Sequence, residues 1–117
     1  MSEHHHINYI ELPTTDMAAM KAFYTDVFGW SDKDYGPQYA DIIGAGIDGG
    51  FDANAGRRAP SNQGALVIFL SEDLEASQAA IVKAGGSVTI PIFDFPGGRR
   101  FHFTDPSGNE LAIWTKL

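Results

Sequence analysis

The 117-residue sequence contains no cysteine, no long hydrophobic run and few basic residues. Without cysteine there can be no disulfide, thiolate nucleophile or iron–sulfur cluster, so a metal site would have to use His and carboxylates. No segment approaches the roughly 18 consecutive apolar residues of a membrane helix. The N-terminus also lacks the basic, apolar and small-residue succession of a signal peptide. We therefore expect a cytoplasmic protein with no membrane partner.

The charge balance is acidic, with 15 Asp and Glu residues against 8 Lys and Arg residues and a formal net charge of −7. This charge opposes binding to nucleic acid, whose phosphates are contacted mainly by cationic side chains. It favours cationic or basic ligands through long-range attraction, which salt screens. Apolar residues make up 44% of the sequence, enough for a packed globular core.

The chain contains two strand-then-helix patterns in the same order. INYIELP alternates as a strand should from Ile7, and apolar residues at helical spacing follow up to Gly29. ALVIFL, beginning at Ala65, is the second strand candidate. The second helix candidate runs from Ser71 to the pair Gly85–Gly86, which is typical of a helix terminus.

A constant offset relates the two halves. Asp16 and Asp73 lie 57 residues apart (73 − 16), and so do the helix-ending Gly29 and Gly86 (86 − 29). The same offset at both ends of the helix indicates internal duplication. The residues expected to cap the two helices carry hydroxyl groups: Thr14 or Thr15, and Ser71.

Three short β-strand candidates follow each helix, at about residues 30–35, 39–43 and 47–51, and again at about 87–90, 99–104 and 110–115. The sequence therefore predicts one α+β domain of two tandem βαβββ modules. We place module one at about residues 6–52, a polar linker at about 53–64, and module two at about 65–117. Modules this small must pack against each other or against a second chain.

This module order, with FYTDVFGW ending the first helix and TDPSGNELAIW ending the chain, resembles the vicinal oxygen chelate superfamily. That superfamily includes glyoxalases, bleomycin-resistance proteins, fosfomycin-resistance proteins and extradiol dioxygenases. The resemblance covers nearly the whole chain and implies curved mixed sheets around a cavity. It leaves the chemistry open, because one fold hosts many functions.

In metal-binding members of that superfamily, a His or Gln in the first strand and a Glu in the last strand of each module hold the metal. The resemblance assigns those positions here to Tyr9, Gly50, Leu66 and Ala112. Leu, Gly and Ala side chains donate no lone pair, and a neutral Tyr is a poor ligand. We therefore expect no metal site and no cofactor.

The last strand carries one carboxylate, Glu110, whose direction follows from strand alternation. If Leu111 and Ile113 face the helices, Glu110, Ala112 and Trp114 face the cavity. Glu110 then lies about 6–7 Å along the strand from the usual ligand position. Glu110 therefore points into the cavity but lies too far along the strand to take the usual metal-ligand position.

The same alternation places polar side chains of the first and seventh strands, and apolar side chains of the fifth, on the cavity side. Such a mixture is usual in small-molecule pockets. The predicted ligand-binding residues are Tyr9, Glu11, Tyr35, Leu66, Ile68, Arg100, His102, Glu110 and Trp114. The candidate catalytic residues are Glu110, Glu11 and His102.

Each candidate also has a purely structural interpretation. Glu11 and Glu110 could be solvated residues on an exposed sheet. His102 could be a strand histidine whose hydrogen bonds are all made within the protein. Tyr35 could anchor a hairpin. The run His4–His6 lies near the terminus, where no scaffold positions it, so we expect at most adventitious metal binding there.

Three functional hypotheses follow. The first is a metal-free binding protein that acts by sequestering a small molecule, as in the bleomycin-resistance branch. The second is a metal-independent isomerase or lyase in which Glu11 or Glu110 moves protons while Arg100 or His102 stabilises negative charge. The third is a divalent-metal glyoxalase with Glu11, His102 and Glu110 as unusual ligands.

The resemblance also implies self-association. Short members of the superfamily commonly form homodimers, in which the first module of one chain often completes the cavity with the second module of the other. An apolar face on each module would favour such pairing. The sequence leaves open whether the modules pair within or between chains.

Overall fold

The computed structural model describes residues 4–54 and 65–117. In chain order the elements are β1 (Tyr9–Pro13), α1 (Met17–Phe28), β2 (Ser31–Asp34), β3 (Tyr39–Ile43), β4 (Asp48–Asp52), β5 (Ile68–Leu70), α2 (Leu74–Lys83), β6 (Ser87–Phe95), β7 (Gly98–Thr104) and β8 (Glu110–Lys116). No helix within these residues is both long and apolar enough to cross a membrane.

Each module forms a four-stranded mixed sheet with the same strand plan. The order is β1-β4-β3-β2 in the first sheet and β5-β8-β7-β6 in the second. In each sheet the first and last strands of the module pair in parallel, and the other neighbours are antiparallel. The predicted α+β architecture of two βαβββ modules is confirmed. The proposed linker lies almost entirely outside the described residues.

Both helices are capped by aspartate side chains. The carboxylate of Asp16 accepts a hydrogen bond from the backbone N of Ala19 at 3.1 Å. Asp73, at the equivalent position of the duplication, accepts the same bond in α2. Each helix begins directly after its aspartate, too late in the chain for the preceding hydroxyl residues to reach its free N–H groups. The expected caps are therefore wrong: Thr14 or Thr15, and Ser71.

Strand β6 is longer than the predicted segment of about residues 87–90, since it continues to Phe95. It lies at the edge of its sheet, where Pro91 can be accommodated although it lacks an N–H donor. The pairing with β7 is irregular between Val88 and Ile90 and again between Ile90 and Phe93. A simple alternation pattern therefore could not reveal the full strand.

The helix-facing sides of both sheets share one aromatic core. Phe28 at the end of α1 stacks on Phe69 of β5, with ring centroids 4.2 Å apart. Phe23 of α1 lies 6.3 Å from Phe103 of β7. The two modules thus pack against each other within the chain. Other fully buried members of the core come from both modules: Met20, Tyr24, Phe51, Leu74, Ile81, Phe101, Leu111 and Ile113.

A buried hydrogen-bond network joins α1 to the turn between β7 and β8. The Tyr24 hydroxyl donates to Oδ2 of Asp105 at 2.8 Å, and Oδ1 accepts the backbone N–H groups of Ser107 and Asn109. The Asn109 side chain donates to the carbonyl oxygen of Pro13 at 2.9 Å, which ties β1 to the same turn. Burial raises the pKa of Asp105, although bonds from Asn109 and Tyr24 oppose the rise.

We expect Tyr24→Phe to lower the free energy of unfolding by roughly 1–3 kcal/mol, because the buried carboxylate loses a donor while the ring packing is unchanged. Urea denaturation at pH 7 measures this effect. Tyr35→Phe is the control, because Tyr35 is exposed, and it should change stability by less than about 0.5 kcal/mol. Equal effects of the two substitutions would contradict the role of the network.

The effect of Tyr24→Phe should also depend on pH. With a raised folded pKa, Asp105 contributes stability that is fully present below its unfolded pKa and lost as pH rises through the folded value. Removing the Tyr24 donor raises that folded pKa further, so the loss extends over a wider range. The destabilisation should therefore be larger at pH 7 than in acid, where Asp105 is protonated in both proteins.

Candidate functional site

Strand alternation leaves each sheet one face turned away from the core, which we call its outer face. On the first sheet this face carries Tyr9, Glu11, Tyr39 and Asp41, which alternate with core residues such as Leu12 and Ile42. On the second sheet it carries Ile68, Leu70, Ile90, Phe93, Phe95, Arg100, His102, Thr104, Glu110, Ala112 and Trp114. The two outer faces therefore differ in chemistry.

Two tyrosines and two carboxylates form a hydrogen-bonded cluster on the outer face of the first sheet. The hydroxyl oxygens of Tyr9 and Tyr39 are 2.5 Å apart. Tyr39 donates to Oε2 of Glu11 at 3.0 Å, which leaves the Tyr9 proton for the contact with the Tyr39 oxygen; Oδ1 of Asp41, 3.3 Å from the Tyr9 hydroxyl, is a second and longer acceptor for that same proton. Desolvation, followed by the bonds to Tyr9 and Glu11, raises the pKa of Tyr39. Tyr39 therefore keeps its proton and holds Glu11 in place.

Gly50 lies directly under the Tyr39 ring. A Cβ atom built on Gly50 would lie 2.1 Å from the Tyr39 hydroxyl oxygen and 2.4 Å from its Cζ. The phenol therefore fills the volume that a glutamate side chain would need at position 50, which the resemblance assigns to a metal ligand. Ala112, at the corresponding position of β8, is fully buried and paired with His102 and Ile68.

The residues present do not fit a metal of the kind that the resemblance implies. Tyr9, Gly50, Leu66 and Ala112 offer one phenol between them, and that phenol is hydrogen-bonded to Tyr39. Across residues 4–54 and 65–117, no group of three His, Asp or Glu residues is arranged to hold a metal ion. This includes the set of unusual ligands considered above: Glu11, His102 and Glu110.

His102 and Glu110 form a pair on the outer face of the second sheet. Nδ1 of His102 lies 3.2 Å from Oε2 of Glu110, and the His102 residue is 6% exposed. A carboxylate beside Nδ1 favours the tautomer with the proton on that atom, which leaves Nε2 as a hydrogen-bond acceptor. Nε2 is buried and has no hydrogen-bond partner in the part of the chain that the structure describes.

Arg100 lies next to this pair and has aromatic neighbours. Its Cζ is 5.4 Å from the ring centroid of Phe93 and 5.9 Å from that of Phe95. Its Nε is buried and, among the described residues, has no hydrogen-bond partner. Arg99 faces the other way, and its Nη1 pairs with Glu75 at 2.6 Å.

The structure gathers four of the predicted ligand-binding residues at one open cleft of about 780 Å³. The cleft lies between β1, the segment leading into β5, and the start of β8, and its lining includes Tyr9, Glu11, Leu66 and Glu110. His102 contacts the cleft through Glu110. The three candidate catalytic residues are therefore neighbours of one cleft, although Glu11 bonds to Tyr39 rather than to the His102 pair.

The other predicted residues lie elsewhere. Ile68 lines an adjoining, mainly apolar pocket of about 330 Å³, which shares part of its lining with the cleft. Arg100 and Trp114 lie on the outer face of the second sheet, opposite each other in register. Tyr35 is exposed at the β2–β3 turn, with the Lys33 ammonium 5.3 Å from its ring centroid.

Sequence reasoning missed Tyr39 and Asp41, although a usable signal was present. In YADII the alternate residues Ala40 and Ile42 are apolar, which predicts that Tyr39 and Asp41 face the other way. The roles of Phe93 and Phe95 beside Arg100 were not predictable in this way, because β6 is irregular between Ile90 and Phe93.

Gly50→Ala tests the packing of the Tyr39 ring. We expect the added methyl group to lower the free energy of unfolding by about 1–2 kcal/mol, because the ring must move and its hydroxyl loses well-placed partners. In a Tyr39→Ala background the same change should cost little. The measurement is a urea-denaturation double-mutant cycle. The same cost in both backgrounds would show that Tyr39 does not fill the Gly50 site.

Comparison with known proteins identifies relatives over nearly the whole chain. The family model described as "Glyoxalase/Bleomycin resistance protein/Dioxygenase superfamily" matches residues 6–113. CFP32 of Mycobacterium tuberculosis, whose name carries the word glyoxylase, is 32% identical over 115 residues. That alignment covers 92% of this chain but 44% of CFP32, so the chain spans less than half of that curated relative.

Solved structures show the same fold. A glyoxalase-related enzyme from Fulvimarina pelagi superposes with a TM-score of 0.78 and 21% identity, covering 96% of this chain and 88% of that one. TnmS3, described as an antibiotic-binding protein from a Streptomyces species, gives a TM-score of 0.71 and 21% identity, with full coverage of both chains.

Proposed function

Since the chain belongs to the glyoxalase/bleomycin resistance protein/dioxygenase superfamily, we propose that it binds a small molecule without a metal and acts by sequestering that molecule. One observation carries the proposal. Gly50 stands where the resemblance assigns a metal ligand in the first module, and the Tyr39 phenol occupies the space beside it. A cleft that retains polar and apolar walls but lacks a set of metal ligands is suited to binding rather than to metal-assisted chemistry.

The described relatives include both enzymes and binding proteins. TnmS3 has the same fold and is described as antibiotic-binding, which supports ligand capture as a use of this architecture. CFP32 has a glyoxylase name but is more than twice as long as the matched segment. The activity of that whole protein therefore does not transfer directly to a single domain of 117 residues.

We further propose that a second copy of the chain covers the outer faces. Several apolar side chains on the outer face of the second sheet are exposed, with Leu70 at 58% and Phe93 at 36%. The outer face of the first sheet carries the carboxylates of Glu11 and Asp41, whereas that of the second carries Arg100. Pairing the first sheet of one copy with the second sheet of another would bury exposed apolar side chains such as Leu70, and it would place the carboxylates and Arg100 on opposite walls of a cavity that stays open to a ligand.

Leu70→Asp should shift this dimer toward monomer, because it places a charge in the proposed interface. Val82→Asp is the matched control, since Val82 is 56% exposed on the helix side of the molecule and should leave association unchanged. Light scattering coupled to size exclusion measures both variants. A wild-type protein that stays monomeric at high concentration would exclude the dimer.

The binding function itself predicts metal-independent affinity. We expect protein lacking residues 1–6 to purify with substoichiometric metal, as measured by elemental analysis. In isothermal titration against aromatic acids, aromatic amines and glycopeptides, at least one class should bind, and EDTA should leave that affinity unchanged. Stoichiometric zinc, nickel or iron, or loss of binding in EDTA, would overturn the metal-free proposal. Absence of binding across the whole panel would overturn ligand capture.

A further inference from the structure

We infer that the outer face of the second sheet is a subsite for aromatic hydroxy acids, with Arg100 binding the carboxylate and His102 accepting a hydrogen bond from the hydroxyl group. This inference rests on the proposed function as a small-molecule binder and names the ligand class. It starts from two buried polar atoms, Nε of Arg100 and Nε2 of His102, which have no hydrogen-bond partner within the described residues.

The surroundings of Arg100 would be completed by an anion. Its Nε donor is buried, and no ion pair joins its guanidinium to a carboxylate of residues 4–54 or 65–117. The Phe93 and Phe95 rings provide cation–π contact but no acceptor lone pair in the guanidinium plane. Leaving a buried donor unsatisfied is costly, and a ligand carboxylate would supply the missing acceptor with two matched oxygens.

The setting of His102 calls for a donor. In the neutral form of the imidazole, with Glu110 accepting from Nδ1, Nε2 presents a lone pair. A hydroxyl group can donate to that lone pair, whereas a carboxylate cannot. The two unsatisfied atoms therefore require opposite hydrogen-bonding groups, and one ligand that carries both would satisfy them together.

The strand register places these groups at a spacing that one small ligand can bridge. Arg100 and His102 are two residues apart on β7, so their Cα atoms are about 6–7 Å apart on the same face. Phe93 and Trp114 lie directly opposite Arg100 on the neighbouring strands. Ile90 lies opposite His102. A flat aromatic ring across these two rows would contact aromatic and branched side chains while its substituents reach both polar groups.

The Phe93 ring lies over Arg100 and His102, so it must move before a ligand can bind there. Its ring centroid lies 5.4 Å from Cζ of Arg100 and 6.1 Å from the His102 ring. The side chain is partly exposed on an edge strand, next to a break in the pairing register. Turning it outward takes one rotamer change, and the ligand ring would then replace Phe93 over Arg100.

The net charge of −7 does not oppose this ligand class at contact distance. Screening at physiological salt limits long-range repulsion to about 8 Å. Within that distance the ligand carboxylate would contact Arg100, held between Phe93 and Phe95, while the Glu110 carboxylate lies beyond the His102 ring, at the hydroxyl end of the ligand. We therefore expect local contacts, and not the overall charge, to decide the affinity for an aromatic acid.

Isothermal titration of the full chain with four naphthalene probes tests the inference. The probes are hydroxynaphthoate with the two groups meta, so that the hydroxyl cannot bond to its own carboxylate, naphthoate, naphthol, and naphthylmethylamine. Hydroxynaphthoate should bind most tightly. Removing its carboxylate should weaken binding roughly tenfold to hundredfold, and removing its hydroxyl roughly fivefold.

Variants assign these preferences to residues. Arg100→Met keeps an unbranched side chain for packing and should abolish the advantage of naphthoate over naphthylmethylamine. Arg99→Met is the matched control, since Arg99 pairs with Glu75 on the other side of the sheet, and it should retain that advantage. His102→Phe should remove the effect of the hydroxyl group and keep the effect of the carboxylate.

A measurement on the wild-type protein covers the case in which a variant fails to fold. Nitrogen–proton spectra should show the side-chain Nε–H resonance of Arg100, and not that of Arg99, shifting when naphthoate binds.

The subsite is overturned if naphthol and naphthylmethylamine bind as tightly as the acids, or if Arg100→Met keeps the acid preference; either result leaves the proposed binding function standing. If no probe and no member of the wider panel binds, both proposals fail.

Discussion

The structure depends on one packing constraint, the stacking of Phe28 from the first module on Phe69 from the second. Each module has under 60 residues and cannot bury a sufficient core alone. Joining the helix-facing sides of both sheets solves this problem. This packing also determines which sheet faces lie outside, because successive residues of a strand point to opposite faces.

The duplication preserved the fold but not the chemistry of the outer faces. The 57-residue offset relates Tyr9 to Leu66 and Glu11 to Ile68, so a polar strand edge corresponds to an apolar one. On the first sheet the carboxylates are held by tyrosine hydroxyls. On the second sheet, a cation and an imidazole acceptor lie among aromatic side chains. A ligand held against both faces would therefore meet two chemically different walls.

At the position that the family resemblance assigns to a metal ligand of the first module, packing matters as well as residue type. A glycine there could leave an opening for water or a ligand group. Here the Tyr39 ring closes it, and its hydroxyl is bonded to Tyr9 and Glu11. A glutamate side chain at position 50 would clash with that ring. The polar cluster of the first sheet thus behaves as an ordered wall of the cleft.

The amino-acid sequence by itself determined the two modules, the helix positions and the direction of most strand residues, because these follow from local periodicity and a constant offset. Alternation predicts the face on which Glu11, His102 and Glu110 lie, and in the structure all three belong to the outer faces. It could not show that Glu11 bonds to Tyr39 while His102 bonds to Glu110, since partners 28 and 8 residues apart are chosen by sheet register and ring packing.

Only the tertiary structure decided that Asp16 and Asp73, not the preceding hydroxyl residues, cap the helices, and that the irregular edge strand β6 brings Phe93 over Arg100. The physical reason is the same in each case: periodicity specifies the face of an element, whereas contacts across elements depend on distances that no local pattern contains.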